Sequence, residues 1–553
     1  MKTVFHMLAV CLIMPAVLFP AVYYVSPGGN DTHAGTSQTP WASPGWGSKQ
    51  IAGGDTLIIM GGTYILSDYW DDMITPPSGS ENAPTVIVGE SGSRTVLAGR
   101  DNLYSAVELS DQSDITIKNL EITSDNGALF REGVSASGLC ERIILEDLYI
   151  HHMDEFGIDF QDLRSSAIRN CDIQYCGFGA VGGPQGEAGG WRDVSITDCS
   201  LSYGGHYYQG ETGPGTGPYD RPDGVGLEHA PDDGPLLIQN CRAEHNRGDG
   251  LDSKVNNTTI LNCMVANNTC DGIKLWGGGS VVANTVIYGT GDGDLADSPW
   301  AALVIDNIPE SGARFDIIHT TIHQDPRKRG YMLYSQYDIA TPVTINMINT
   351  IVTGGSGPAW FGPSVTVTLD HCLIYREGES VQVAANGRDY TAADLKNGLL
   401  GAGCISGDPM FESPAWGAEG SYRLTAGSPA VDAGIMTAGG PLPVPDTDLD
   451  GRPRPAGAAP DMGAYEYGSG TGISRDIATS GAQSPFLFRS GENILNVDAG
   501  TPAVLTVYNI LGQTMLSRRV PAHAAVPLHL PCGLYIAVLD PGPCSGYRFA
   551  VIH

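Results

Sequence analysis

An apolar residue, a spacer, a short polar residue, then Cys, Thr or Leu and another apolar residue: this outline recurs through the first two-thirds of the chain. It reads ITIKNLEI (115–122), IILEDLYI (143–150), AIRNCDI (167–173), SITDCSL (195–201), LIQNCRA (237–243), ILNCMV (260–265) and VVANTVI (281–287). It continues more loosely through IIHTTI (317–322), NMINTIV (346–352) and LDHCLI (369–374). The polar position falls on Asn119, Asp147, Asn170, Asp198, Asn240, Asn262, Asn284, His319, Asn349 and His371, at intervals of 22 to 42 residues. A floor of 22 suits one turn of a parallel β-helix, with three short strands and their bends. Asn tolerates the left-handed backbone of a sharp bend, and its side chains can bond from coil to coil. Leucine-rich repeats lack support because no Leu-x-x-Leu-x-Leu frame is present, and Gly, Asn and β-branched residues disfavour helical repeats.

A second strand lies between these segments: FGIDFQ (156–161), DGVGLE (223–228), DGLDSK (249–254) and DGIKLW (271–276). Alternation sends Ile158, Val225, Leu251 and Ile273 inward and Asp159, Gly226, Asp252 and Lys274 outward, in one column. Asp252 and Lys274 are then expected one strand spacing apart, about 4.8 Å, on a solvent-exposed face.

Composition sharpens the reading. The 553 residues include 73 Gly, and only 16% are charged, which suits tight turns and short strands. A formal charge of −31 argues against a nucleic-acid partner and fits an exported protein, a cation binder or a merely solvated acidic surface. The opening MKTVFHMLAVCLIMPAVLFPA reads as a secretory signal over 1–21, and no later stretch is long and apolar enough to span a bilayer. Of twelve cysteines, Cys171, Cys199, Cys241, Cys263 and Cys372 each follow Asn, Asp or His within the repeat. They read as small apolar residues stacked in a core, leaving Cys532 and Cys544 as a possible bridge.

The candidate chemistry gathers around Asp223, Asp249, Asp252 and Asp271. Several carboxylates on one face repel unless a cation sits among them, and hard oxygen ligands select Ca²⁺. A cation beside Lys274 lowers an ammonium pKa, and a neutral lysine amine is a competent general base. Removal of the C5 proton of a uronic acid fits this arrangement, with Ca²⁺ on the sugar carboxylate. The competing reading is a plain surface salt bridge worth about 0–1 kcal/mol.

Asp223, then GDGLD (248–252), then DGIKLWGG (271–278), on a β-helix, resembles polysaccharide lyase family 9, the calcium-dependent pectate lyases and relatives. The resemblance implies a lysine base, matched by Lys274, and calcium-binding aspartates, matched by Asp223, Asp249 and Asp252. Where that family has a pair of aspartates this chain has Gly248-Asp249, so one ligand is absent; Asp271, Glu228 or a water would substitute. The coil between ligands and base is also shorter than in the pectinolytic members. The matching stretch is a small part of the 553 residues.

Sugar-binding candidates surround this core. The insertion YGGHYYQGETGPGTGPYDR (203–221) breaks the repeat just before Asp223 and brings Tyr207, Tyr208, Tyr219 and Arg221 to stack on or pair with a glycan, or to stand as a mobile loop. Trp276, two residues after Lys274, is a candidate platform, and Glu228 a further substrate-side group. His229 is a surface histidine or an acid, and Asp292, Asp294 and Asp297 form a second cation site or a polar turn.

The ends differ in kind. Residues 22–66 resemble the segment that caps the first coil of exported right-handed β-helix proteins, so 22–400 is expected to be solenoid with its cap. DPMF (408–411), YRLTAGSPAVDAG (422–434) and PDMGAYEYG (460–468) resemble a choice-of-anchor-type module, which implies that 401–468 closes the C-terminal end. Residues 469–484 read as a linker. Beyond, VYNILGQ (507–513) and GLYIAVL (533–539) lie among alternating strands of a small sandwich over 485–553 and resemble the type IX secretion sorting domain. That resemblance implies the type IX machinery as a partner and a secreted or outer-membrane surface location in a Gram-negative, Bacteroidetes-like bacterium.

The chain is therefore expected to be all-β, a right-handed parallel β-helix followed by a small C-terminal β-sandwich, and a monomer. Its leading function is a calcium-assisted lyase acting on an acidic, pectate-like polysaccharide. A non-catalytic β-helix adhesin stays open, as does a glycoside hydrolase drawing on Asp159, Asp252 or Glu228.

Overall fold

A computed structural model describes residues 20–207, 222–291, 299–305, 312–335, 341–436 and 445–468, together with strands from Phe486–Arg489 to Phe549–Ile552. Most of the signal segment, the linker, Tyr208, Tyr219, Arg221, Asp292, Asp294, Asp297, Cys532 and Cys544 lie outside the described residues.

Among the described residues thirty-five strands join one continuous sheet, and its successive coils pair in parallel. Each repeat segment pairs with its counterpart one coil on, as in Leu236–Gln239 with Thr258–Leu261, and Arg242–Glu244 with Met264–Ala266. The third ladder carries the Asp-Gly strands: Phe156–Arg164, Gly179–Gly183, Asp223–Leu227, Leu251–Ser253, Ile273–Leu275, Ala301–Ile305, Tyr331–Ser335 and Ala359–Phe361. Their inward side chains, among them Ile158, Val225, Leu251, Ile273 and Leu303, belong to one core that runs the length of the solenoid.

The recurring polar residue sets the bend. All ten positions, from Asn119 to His371, have φ between +45° and +56°, the left-handed region that favours Asn among side-chain-bearing residues. Their side chains then bond along the axis. Asn240 Nδ2 donates to Asp198 Oδ1 at 2.9 Å, and Asn284 Nδ2 donates to Asn262 Oδ1 at 2.7 Å. Asn349 Nδ2 lies 2.9 Å from His319 Nε2.

The residue after each bend explains the cysteines. Cys171, Cys199, Cys241, Cys263 and Cys372 are buried and free. Thr285, Thr320 and Thr350 occupy the same column in the intervening coils. Cys263 Sγ donates to the Leu261 carbonyl at 3.3 Å, and Thr285 Oγ1 makes the equivalent bond to Ala283 at 2.9 Å. The site asks for a small side chain with one weak donor, which both residues supply.

At the N-terminal end the short helix Pro44–Gln50 lies over the core. A Cβ on Gly47 would meet Val25, Trp41 and Leu57 between 3.0 and 3.6 Å away, so the cap sits close. The described residues between 408 and 468 lie along a flank of the solenoid. Gly417 N donates to Asn267 Oδ1, Asn284 Nδ2 to the Thr447 carbonyl, and Asn349 Nδ2 to the Ile435 carbonyl. The bent Asn column leaves polar groups facing outward, and this segment satisfies them. The last coils end in the antiparallel pair Val381–Ala385 and Arg388–Thr391, followed by the helix Ala392–Lys396, whose Leu395 is buried. Beyond residue 485, the described strands form a three-stranded and a four-stranded antiparallel sheet, the elements of the expected sandwich.

Candidate active site

Two outward columns of the third ladder define the site. One passes through Gly179, Asp223, Asp249 and Asp271; the other, through Asp159, Gly182, Gly226, Asp252, Lys274 and Val304. The Gly of each Asp-Gly pair has a packing reason. A Cβ on Gly250 would stand 2.3 Å from Val265 Cγ1, and one on Gly272 would stand 2.4 Å from Ile287 Cγ2.

The aspartates of the first column also hold the coils together. Asp249 N donates to Asp223 Oδ1 at 2.6 Å, and Asp271 N donates to Asp249 Oδ1 at 2.7 Å. Asp271 Oδ1 accepts from Trp300 N and Ala301 N at 2.7 and 3.0 Å. Carboxylate oxygens of Asp223, Asp249 and Asp252 lie within 4.8 Å of one another, and Asp271 falls outside this group. Asp271 therefore serves the scaffold, one coil beyond the cluster.

The cluster is electrostatically costly. Burial, then Asp249 and Asp252, push the Asp223 carboxyl well above its usual range. Burial and Asp249 push Asp252 up to about 7, against the pull of Lys254 and Lys274. Asp252 Oδ1 is buried with no hydrogen-bond partner. Gly226 keeps the neighbouring space clear, since a Cβ there would lie 3.1 Å from Asp223 Oδ2. Three convergent carboxylates, one with an orphaned oxygen, are hard donors suited to Ca²⁺, so the residues fit that ion.

Asp252 and Lys274 are register partners on adjacent strands, as expected. Their exposure is not as expected: Asp252 is 8% and Lys274 4% accessible. The reason is aromatic cover, with Lys274 Nζ 4.5 Å from the Trp300 ring centre and 5.1 Å from that of Trp276. Lys254 is a second amine here, 5.2 Å from the Trp276 ring, 3.6 Å from Asp252 Oδ2 and 2.7 Å from Glu228 Oε1. Burial works to lower its pKa, but Asp252 and Glu228 raise it on balance, so Lys254 stays charged.

Residues 23–183 match the family model described as Pel9A-like, right handed beta helix region. That stretch carries the cap and first coils and stops before Asp223. The pectate lyase PEL9 of Emericella nidulans is 30% identical over 116 residues, covering 19% of this chain and 28% of that protein. The uncharacterized protein YwoF of Bacillus subtilis is 26% identical over 137 residues, covering 23% of this chain and 28% of that protein. The chain thus spans under a third of the length of these curated relatives. A crystal structure of pectate lyase Pel9A is similar at a TM-score of 0.42 and 16% identity, covering 82% of this chain and 98% of that one. The solenoid is a right-handed parallel β-helix.

The remaining candidates scatter. Trp276 flanks both amines, while Glu228, with its side chain half exposed, sits at the rim on Lys254. Tyr207 turns away: its hydroxyl is 3.2 Å from Ser124 Oγ and its ring stands against His152. His229 Nδ1 is 2.8 Å from the buried Asp233 carboxylate, an anchoring contact.

Lys254, Trp300 and Glu132 are not among the residues expected from the sequence. Glu132 lies in FREGVS (130–135), which has no Asp-Gly frame, so no local signal marks it. Burial, Asp159 and Glu155 push Glu132 up to about 9, while burial and Glu155 push Asp159 up to about 6. Asp159 and Asp252 are three rungs apart, about 14 Å, too far to flank one glycosidic bond.

Proposed function

We propose that the protein is an exported polysaccharide lyase that cleaves a uronic-acid-containing, pectate-like glycan by β-elimination, with Lys274 as base. The observation that carries this reading is the placement of Lys274 one rung from Asp252, beside three convergent carboxylates. The Emericella nidulans relative, named a pectate lyase, supports the same class.

Asp223, Asp249 and Asp252 would hold Ca²⁺. When bound, the ion supplies positive charge against the sugar carboxylate and lowers the cost of taking the adjacent proton. The chain's own groups do the rest. Lys274, as the neutral amine, takes the C5 proton; the electron pair forms the C4–C5 double bond, and the C4–O bond breaks to release the leaving sugar, which gains a proton. Trp276 and Trp300 wall the amine from water and hold its direction. Lys254 keeps its charge beside Asp252 and Glu228 and is suited to orienting a substrate carboxylate.

Incubation with polygalacturonate and other uronic polymers tests the reading through the ultraviolet absorbance of the unsaturated product. The signal is expected to grow with calcium present and to vanish on adding EDTA. A second reading, a glycoside hydrolase, is favoured by one observation: Glu132 Oε2 and Asp159 Oδ1 are both buried without a hydrogen-bond partner, and burial pushes the two carboxyls up, to about 9 and about 6. New reducing ends without that absorbance would select it, and binding without any cleavage would select an adhesin.

A further inference from the structure

The second ladder of the solenoid lies on a different face from Asp252 and Lys274. Its last coils pair Thr321–Gln324 with Ile351–Gly354, and that strand with Leu373–Tyr375. Between these coils and the strap at 408–414 lies an open cavity of about 450 Å³, a size that suits a small-molecule ligand. Gly354 and Gly355 form part of its wall and put no side chain into it. Their φ values are +86° and +75°, and a Cβ on Gly354 would stand 1.9 Å from the Gln324 carbonyl oxygen, so the bend keeps that wall bare.

Arg376 lines this cavity at 7% exposure. Its Nη1 donates to the Val381 carbonyl at 2.8 Å and its Nη2 to the Ser356 carbonyl at 3.0 Å, while its Nε is buried with no hydrogen-bond partner. Among the described residues it has no ion-pair partner, unlike Arg327, Arg423 and Arg454, which pair with Asp325, Asp450 and Glu466. A buried guanidinium without a counter-charge is costly, and a carboxylate is its best partner. His323 lines the same cavity with Nδ1 buried and unpartnered, and burial pushes its pKa down to about 4, so the ring is uncharged near neutrality. The rim differs in charge from the wall: Glu377, Glu379 and Asp408 are exposed there. Phe411, partly buried, adds an aromatic surface.

We infer that this cavity binds a single sugar acid, with Arg376 receiving its carboxylate, the rim carboxylates accepting its hydroxyls and Phe411 lying against its ring. The deep guanidinium selects a carboxylate, and the acidic rim repels a polyanion, so one charged ring fits where a long acidic polymer does not. Hydroxyl-rich rings present an apolar face to an aromatic side chain, which a compact amino acid lacks. The inference stands apart from the lyase reading, because none of these residues belongs to the Asp-Gly strands.

The test is calorimetric titration of the full chain, in EDTA, with sodium galacturonate, its methyl ester and L-alanine. The wild type is expected to bind galacturonate saturably and each of the other two at least about tenfold more weakly. Arg376→Lys keeps the charge but loses the fork, and should weaken galacturonate binding about tenfold. Met410→Trp sets a large ring at the rim, where Met410 is 43% exposed, and should abolish binding while leaving the core intact. No saturable binding of galacturonate, equal binding of the ester or of L-alanine, or unchanged binding in Met410→Trp would overturn the inference. Unchanged binding in a folded Arg376→Lys would do the same. Should the variants lose galacturonate while the wild type never forms unsaturated product with calcium, the lyase reading falls and the cavity site stands.

Discussion

Lys274→Ala is expected to lower the rate of unsaturated-product formation by about 10²–10⁴-fold, the usual contribution of a positioned general base. The buried amine sits one strand from Asp252 and between two indole rings, so no water-borne base replaces it readily. Lys254 is nearby but stays charged through Asp252 and Glu228, so it does not rescue the reaction. Lys274→Arg keeps the positive charge yet cannot release a proton at neutral pH, and it should be as inactive as the alanine variant. An Arg variant with substantial activity would show that charge, not proton removal, is what position 274 supplies. Initial rates on polygalacturonate with calcium present measure both.

Arg454→Ala is expected to destabilise the solenoid by about 3–5 kcal/mol, measured by urea-induced unfolding. The Arg454 and Glu466 side chains are fully buried and joined at 2.8 Å. Arg454 also donates to Asn284 Oδ1 at 2.8 Å, which ties the 445–468 segment to the bend column. Losing the guanidinium strands a buried carboxylate and an Asn oxygen. Pairing the change with Glu466→Gln should recover part of the loss, because the uncompensated charge is then gone. Equal loss in the single and double variants would mean that packing, rather than charge, fixes this segment.

The solenoid was legible because one steric demand repeats. A left-handed bend in every coil leaves Asn, Asp or His in the sequence at each turn, and all ten positions named from the pattern adopt that conformation. The Cys/Thr column was legible for a related reason, a small side chain under a fixed carbonyl. At the site, the Asp-Gly frame placed Asp252 and Lys274 as neighbours, since register follows from the repeat.

What the frame could not convey was depth. Alternation says which way a side chain points, but not that indole rings from the same coil and the next will cover it; hence Lys274 was expected in open solvent and is buried. Nor does an Asp-Gly motif tell a ligand from a strut. Asp271 shares the motif, yet its oxygen is spent on two backbone donors of the following coil. The flanking position of residues 408–468 was likewise hidden, because it depends on contacts with Asn267, Asn284 and Asn349, more than a hundred residues earlier in most cases. Glu132 had no motif at all; only the pairing of Ser135 with Asp159 brings it near.

The central claim is that Asp223, Asp249 and Asp252 cage a cation beside the amine of Lys274. Calcium titration of the EDTA-treated protein, followed by calorimetry, tests it most directly. The account predicts saturable calcium binding in the wild type and its loss in Asp252→Asn, with Asp271→Asn leaving the binding in place if it folds. Calcium binding that is absent in the wild type, or unchanged in Asp252→Asn, would contradict it.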